Sequence, residues 1–225
     1  MKSLPFPLTT ILCAVLLPVC SALATPFAVP KDTLQPPQVT FSEVANFTPL
    51  NGLLINGFTF TESIPMVFTS PPGSGPGDTN NNSGDTALSG LGSIPAGYIL
   101  TVSLATPSLS FGFGFALQGV TTVANAVTVT LFDGATNLGS LVVAGALDPA
   151  FTGGFVGVGN DAFFNSVQIT FNDSFSAFAV DNFSSVIPEP STVSLLAGAG
   201  LAALFFRRGR AKAAKSQARK YGKKP

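Results

Sequence analysis

Alternation of apolar and polar side chains is clearest in the segment "AVTVTLFDGATNLGSLVV". Val127, Val129 and Leu131 fall on one face of an extended strand, and threonines lie between them on the other face. Asp133-Gly134 opens a short turn, after which residues 138–143 form the returning strand. Because successive side chains of a strand point to opposite faces, the pattern predicts a β-hairpin with one buried face.

The same period of two recurs in other segments. In "LSFGFGFAL", three phenylalanines share one face while Gly112 and Gly114 lie on the other, where glycine allows close approach or a bulge. In "NSVQITFND", Val167, Ile169 and Phe171 share the inner face. Further strands are expected at Val39–Val44, Leu53–Thr61, Pro65–Thr69, Tyr98–Leu104, Gly154–Val158 and Phe175–Phe183.

Short strands, turn residues between them and the absence of an amphipathic helix predict an all-β fold, an antiparallel β-sandwich over residues 25–187. The segment Thr25–Val186 contains 18 of the 21 phenylalanines, and burying each contributes about 1.5–3 kcal/mol. The polar stretch "PPGSGPGDTNNNSGD" predicts an exposed loop at about 71–92. No repeat of 20–50 residues appears, which argues against a solenoid or propeller.

The first 24 residues have the three parts of a secretory signal peptide. Lys2 is followed by an apolar run from Leu8 to Val19 and then by Ala22-Leu23-Ala24, so cleavage is expected after Ala24, with Ala22 and Ala24 forming the cleavage site. A membrane anchor is the alternative. Pro18 interrupts the run, which is shorter than the roughly 20 residues of a spanning helix.

Both cysteines, Cys13 and Cys20, lie within this signal peptide. A lipoprotein is disfavoured because "LPV", ahead of Cys20, lacks the small residue expected before a lipidated cysteine. The exported chain therefore has no cysteine, cannot form disulfides and depends on its hydrophobic core.

The net charge of zero is the sum of two oppositely charged parts, the body (residues 25–186) and the tail (residues 207–225). Thr25–Val186 has one lysine and ten acidic residues, a net charge of −9, whereas Arg207–Pro225 has nine basic residues and no acid, a net charge of +9. An acidic body of this kind is not expected to bind nucleic acid, since phosphates require a basic surface.

The run Thr192–Phe206 is free of charge and precedes the basic tail. As a helix, its fifteen residues cover roughly 22 Å, less than the roughly 30 Å hydrocarbon core of a bilayer. Pro190 suits the first turn of a helix. Snorkelling of the flanking side chains or local thinning of the bilayer can compensate for the difference between the helix length and the thickness of the hydrocarbon core. We expect a membrane helix at 191–206 and a cytoplasmic tail at 207–225, because bases flank spans on the inside. A buried core helix is the alternative.

Pro188-Glu189-Pro190, a short apolar helix and the cluster Arg207, Arg208 and Arg210 together resemble the PEP-CTERM sorting signal of bacterial exosortase substrates. The resemblance covers about residues 186–210. Family members usually end soon after the arginines, whereas here "AKAAKSQARKYGKKP" follows. We take residues 188–225 as the sorting region.

This resemblance implies export, a transient inner-membrane anchor and recognition by an exosortase, then location at the cell surface or in the extracellular matrix of a Gram-negative bacterium. By the same resemblance, the Pro-Glu-Pro tripeptide is the recognition element and the three arginines stop transfer. The ending "FNSVQITFNDSFSAFAVDNFSSVIPEP" is similar to the ectodomains of these proteins and implies a jelly-roll-like sandwich.

Reactive side chains are scarce in the body. The chain has no histidine and its exported part has no cysteine, which excludes Ser-His-Asp and Cys-His catalysis and the usual zinc ligand sets. Two carboxylates would suffice for a glycosidase, but the acids are scattered singly and mostly at turns. We therefore expect a protein that is not an enzyme and has no obligatory cofactor.

Calcium is the metal that the available oxygen ligands could hold. The candidates are two Asn/Asp groups, one in the polar loop and one near the last strand, and a solvated loop and a strand-end turn are the respective alternatives. These candidates are Asp78, Asn80, Asn82, Asp85, Asp181 and Asn182. The loop is not an EF-hand, because Ser83 and Ser89 stand where glycine and glutamate are required.

Taken together, the sequence predicts an exported, non-enzymatic surface or matrix protein that an exosortase sorts. The alternative is a calcium-assisted polysaccharide-binding module on the same sorting signal. With no Trp and only Tyr98 in the body, stacking on sugar rings has few candidates.

Overall fold

The computed structural model describes residues 25–77, 79–82, 85–89, 94–119 and 121–186. Within these ranges the chain forms ten strands and two short 3₁₀ helices, Lys31–Thr33 and Gly75–Gly77. The strands are β1 (Phe27–Ala28), β2 (Leu54–Ile55), β3 (Phe58–Glu62), β4 (Val67–Ser70), β5 (Thr86–Ser89), β6 (Tyr98–Leu117), β7 (Val123–Asp133), β8 (Thr136–Leu147), β9 (Thr152–Phe171) and β10 (Phe178–Val186). All pairings among them are antiparallel.

Two strands of 20 residues, β6 and β9, join the two layers of the fold. The first half of β6 pairs with β3 and its second half pairs with β10, and the register shifts between Ser103 and Ser108. β9 pairs with both halves of β6, while its second half also pairs with β7. The first layer therefore has the order β2-β3-β6-β9-β7-β8. The second layer has the order β4-β5-β10-β6-β9-β1.

Aromatic rings fill the space between the layers. Phe183 of β10 lies 5.2 Å from Phe60 of β3 in the opposite layer, measured between ring centroids. The same ring contacts Phe41, Phe111 and Phe113 at 5.5–5.9 Å. Edge-on and offset ring pairs add about 0.5–1.5 kcal/mol each to the burial of apolar area, so this cluster holds the two layers face to face.

The all-β antiparallel sandwich expected from the sequence is confirmed. The hairpin is formed by β7 and β8, and Val127, Val129 and Leu131 are fully buried. The inner faces assigned to "LSFGFGFAL" and "NSVQITFND" are also buried.

Two pairs of expected strands prove to be continuous. Residues 98–104 and 111–117 belong to β6, and residues 154–158 and 167–171 belong to β9. The register shift near Ser108 explains the difference, because a bulge changes which residues face inward and divides the alternation into two apparent runs.

The expected strand Val39–Val44 is wrong beyond its first residue. Val39 forms an isolated bridge with Phe183. Phe41 has a φ of 58°, which turns the chain and directs its ring into the core.

The expected exposed loop at about 71–92 is also wrong in part. It contains β5, which pairs with β4 and β10, and Thr79 and Asn82 are buried. Hydrophobic patterning could not reveal this, since the buried residues are small or polar.

Gly112 and Gly114 allow the close approach that their pattern suggested. They lie on the outer face of the second layer, where a Cβ at Gly114 would overlap the carbonyl oxygen of Asn81 and one at Gly112 would overlap Leu34. Gly157 of β9 is covered in the same way by the carbonyl of Val29. The segment 25–37 and the loop 79–82 therefore pack directly on backbone.

Replacing one of these glycines should detach the segment that covers it. For Gly157→Ala we expect a loss of about 1–3 kcal/mol in the free energy of unfolding, because the new methyl group meets the backbone of Val29, whose N–H also bonds to the Gly157 carbonyl at 2.9 Å. Urea unfolding measures this. Gly119→Ala is the control, since its Cβ would meet nothing closer than 3.5 Å. Equal stability of both variants would contradict the packing argument.

Several predictions fall on residues that the structure does not describe. These are the signal peptide (1–24, with Ala22 and Ala24), Asp78, Pro188, Glu189 and Pro190, the helix 191–206 and Arg207, Arg208 and Arg210. Within the described ranges, no helix has the length and apolar character needed to cross a membrane.

Candidate functional site

An asparagine-rich cluster covers the outer face of the second layer around Gly114. The side-chain amides of Asn80 and Asn81 both donate to the carboxylate of Asp148, the latter at 2.6 Å. The Nζ atom of Lys31 donates to Oδ1 of Asn81 at 3.1 Å. The cluster thus joins the N-terminal segment, the polar loop and the connection between β8 and β9.

The last strand enters this cluster through Asp181 and Asn182. Asp181 is fully buried and pairs with Gly114 across the sheet, and its Oδ1 accepts the backbone N–H of Asn182 at 2.6 Å. Asn182 has a φ of 56° at a register shift of β10, and its side chain donates to the carbonyl of Asn81 at 2.7 Å. Asparagine tolerates this left-handed conformation better than most residues.

Asn82 lies at the bottom of the cluster and has no exposed surface. Its backbone N–H donates to Oγ1 of Thr79, and the N–H of Thr79 donates back to the Asn82 carbonyl, both at 3.1 Å. Its side-chain Oδ1 faces the carbonyl oxygens of Gly114 and Asn81 at 3.2 and 3.0 Å, and exchanging the amide oxygen and nitrogen would turn both contacts into hydrogen bonds.

A cavity of about 210 Å³ adjoins the cluster between segment 31–37 and the sheet. Gln35, Asn182 and Ser184 line it, together with Phe155 and the prolines that follow Gln35. Lys31 lies over the Phe155 ring, with Nζ 5.4 Å from the centroid, within cation–π range.

The structure brings four of the six calcium candidates together, Asn80, Asn82, Asp181 and Asn182, across about a hundred residues of sequence. Asp85 precedes β5, and no hydrogen bond between described residues joins its side chain to the cluster. Sequence reasoning missed Lys31, Asn81 and Asp148 as members, because their bonds span 50 and 67 residues.

No cluster of three or more Asp, Glu, His or Cys residues suited to a metal occurs among the described residues. A cation at the asparagine-rich cluster would therefore draw mainly on amide and backbone oxygens.

The buried carboxylate Glu62 serves the core. Its Oε2 accepts bonds from the hydroxyl of Tyr98 at 2.6 Å and from the N–H groups of Met66 and Val67 at 2.8 and 3.0 Å. Burial and then the contact with Glu62 raise the pKa of Tyr98 above its usual range. Glu62 thus fixes the turn between β3 and β4.

Residues 186–210 match the model of the PEP-CTERM protein-sorting motif. The resemblance drawn from Pro188-Glu189-Pro190 and the arginine cluster is confirmed, and the chain carries a PEP-CTERM sorting motif. No curated protein matches the chain.

Solved structures with some likeness to the chain include carbohydrate-binding modules of family 29. A CBM29-2 mutant is 12% identical over 65% of this chain and 99% of its own, with a TM-score of 0.36. Another, complexed with mannohexaose, is 12% identical over 62% and 88%, with a TM-score of 0.35. The catalytic domain of a GH87 alpha-1,3-glucanase is 16% identical over 60% of this chain and 30% of its own, with a TM-score of 0.32. The sandwich itself is defined by the strand pairing described above.

The carboxylate of Asp148 should hold the polar loop in place. For Asp148→Ala we expect a loss of about 1–2 kcal/mol in the free energy of unfolding and faster proteolysis of the loop, since two amide groups lose a charged acceptor. Urea unfolding and timed protease digestion measure these effects. Asp161→Ala removes the same charge from an exposed position and should change neither. If Asp148→Ala and Asp161→Ala had the same free energy of unfolding and the same rate of proteolysis, the cluster would have no structural role.

Proposed function

We propose that this chain is an exported protein that an exosortase recognises and processes at its PEP-CTERM motif, and that its β-sandwich is then displayed at the surface or in the extracellular matrix of a Gram-negative bacterium as a non-enzymatic component. The observation that carries the proposal is the motif match, which begins at Val186, the last residue of β10.

The body holds the start of the motif firmly. β10 lies between β5 and β6, and Val186 pairs with Ser110. The buried Oγ of Ser108 lies 2.7 Å from the Val186 carbonyl oxygen. Pro188 is two residues further on, at most about 7 Å of extended chain away. The recognition element therefore follows the folded body with almost no linker.

The residues after Val186 have the properties that processing requires. Pro188 and Pro190 lack backbone donors and disfavour a helix around Glu189, so the tripeptide is suited to bind in an extended form. The apolar segment 191–206 and the cluster Arg207, Arg208 and Arg210 then orient the chain with its +9 tail in the cytoplasm and its −9 body outside.

A role without catalysis fits the chemistry of the body. It has no histidine, and Lys31, its single base, bonds to Asn81. Two of its carboxylates, Glu62 and Asp148, accept structural hydrogen bonds.

The mass of the mature C-terminus tests the proposal. In exosortase-positive cells we expect the mature chain to end near Pro188–Pro190 and to lack the basic tail, because cleavage near the tripeptide removes everything after it. The double variant Pro188→Ala and Pro190→Ala should keep the tail and stay in the membrane fraction, whereas Pro36→Ala with Pro37→Ala, a proline pair of the body, should be processed normally. An intact tail on the wild-type chain in such cells would refute processing, and full-length chain in the cytosol would refute export.

The cavity beside Phe155 favours a second candidate function, polysaccharide binding assisted by calcium. The amides of Gln35 and Asn182 and the hydroxyl of Ser184 offer hydrogen-bond partners to sugar hydroxyls in a largely apolar recess. Recognition would depend on these groups, since Lys31 already covers one face of the Phe155 ring.

Titration with oligosaccharides of the producing strain's exopolysaccharide tests this candidate. We expect binding that Gln35→Ala weakens about tenfold, because one hydrogen bond in the recess is lost. Gln118→Ala, which changes an exposed amide elsewhere, should bind as the wild type does. No binding heat with or without calcium would exclude the candidate and leave the sorting proposal intact.

A further inference from the structure

The starting observation is that the end of β10, just before the sorting motif, is paired along both of its edges. On one edge, residues 184–186 pair with residues 110–112 of β6. On the other edge, the Phe183 N–H donates to the Val39 carbonyl at 3.0 Å, and the Phe183 carbonyl accepts the N–H groups of Gln38 and Val39 at 2.8 and 3.2 Å. β10 is therefore enclosed by neighbours at this end.

The side chain of Gln38 takes the place of a neighbouring strand at Ser185. Its Nε2 donates to the Ser185 carbonyl at 3.2 Å, and its Oε1 accepts the Ser185 N–H at 3.3 Å and the Ser185 hydroxyl at 3.1 Å. A paired strand would satisfy the same two backbone groups. Gln38 is itself held in place, because Asn56 in the turn between β2 and β3 donates to its carbonyl at 2.7 Å.

Ser108 of β6 contacts the last residue of the strand. Its fully buried Oγ donates to the Val186 carbonyl at 2.7 Å. The same oxygen lies 2.6 Å from the Ser110 carbonyl oxygen, so one hydroxyl proton is shared between two acceptors. Ser108 therefore contributes less to holding this end of β10 than Gln38, whose amide forms three hydrogen bonds with Ser185.

The backbone groups engaged here are those that a processing enzyme needs. Only Ile187 separates Val186 from the tripeptide Pro188–Pro190. Enzymes that cleave peptides bind several residues on both sides of the cleaved bond in extended form, through backbone hydrogen bonds like those of a strand added to a sheet. Residues 183–186 cannot form such bonds with an enzyme while they are paired with β6 and with Gln38.

We propose, on the basis of the exosortase processing proposed above, that Gln38 and Ser108 are positioning residues for the sorting reaction. They set how often residues 183–186 leave the sheet and become accessible to the enzyme. The end of a strand opens locally at a smaller free-energy cost than the unfolding of the whole domain. The rate of processing then follows the fraction of chains in which the end of β10 is open, and each hydrogen bond to this end lowers that fraction.

The rate at which precursor becomes mature chain, followed by pulse-chase labelling in exosortase-positive cells, tests this role. We expect Gln38→Ala to raise the rate about tenfold, because three hydrogen bonds to Ser185 are lost, and Ser108→Ala to raise it less. Val129→Ala is the control. It removes core volume from β7, which pairs with β8 and β9 and not with β10, so it should lower the Tm and leave the rate unchanged. Equal acceleration by Val129→Ala would mean that global stability controls processing and would overturn the proposal.

A lengthened chain leaves the body unaltered and decides the matter if Gln38→Ala does not fold. Six Gly/Ser residues inserted between Ile187 and Pro188 supply up to about 20 Å of unpaired chain to the enzyme. Processing should then be at least as fast as in Gln38→Ala, and adding Gln38→Ala to the insertion should change the rate no further. Wild-type rates in the lengthened chain, or a further acceleration by Gln38→Ala within it, would overturn the role of these residues and leave exosortase processing intact. A wild-type chain that kept its tail would instead refute processing itself.

Discussion

The pairing of β6 with β9 is the interaction on which the rest of this molecule depends. It runs from Tyr98↔Phe171 at one end to Leu117↔Thr152 at the other and crosses from one layer to the other. Because the same two strands form the centre of both layers, the layers cannot separate without breaking this ladder. Every other strand is added to this pair directly or through one or two neighbours, and the end of β8 pairs with the first half of β9.

The outer face of the second layer shows how this ladder creates a site. Its glycines carry no side chain, so other backbone segments lie directly on the strands at positions such as Gly114 and Gly157. Polar groups are then buried against the sheet, where they need partners. The hydrogen bonds among Asn81, Asp148 and Asn182 meet that need and give a loop of low hydrophobicity a fixed position.

The sorting motif and the body are joined by the last core strand. Since Val186 ends β10 and begins the motif match, the length of chain between the folded domain and the tripeptide is set by the sandwich itself. The folded body and the motif are therefore adjacent in the chain, with only residue 187 between β10 and the tripeptide. The register shift at Asp181–Ser184 and the hydrogen bond from Ser108 to Val186 both lie on this strand, so the same strand carries part of the cluster and leads to the motif.

The sequence by itself determined the all-β class, the hairpin of β7 and β8, the inward faces of the long strands and the sorting motif, because these depend on local alternation and contiguous residues. Only the tertiary structure decided that β6 and β9 are continuous, that Phe41 turns the chain, and that Asn81, Asp148 and Asn182 meet. Those features arise from a register shift, a left-handed residue and contacts between segments 67 and 101 residues apart, none of which leaves a periodic signal in the chain. The alternation of apolar and polar residues along a strand indicates which side chains are buried. The asparagine-rich cluster consists of polar residues from distant segments, and only the tertiary structure brings them together.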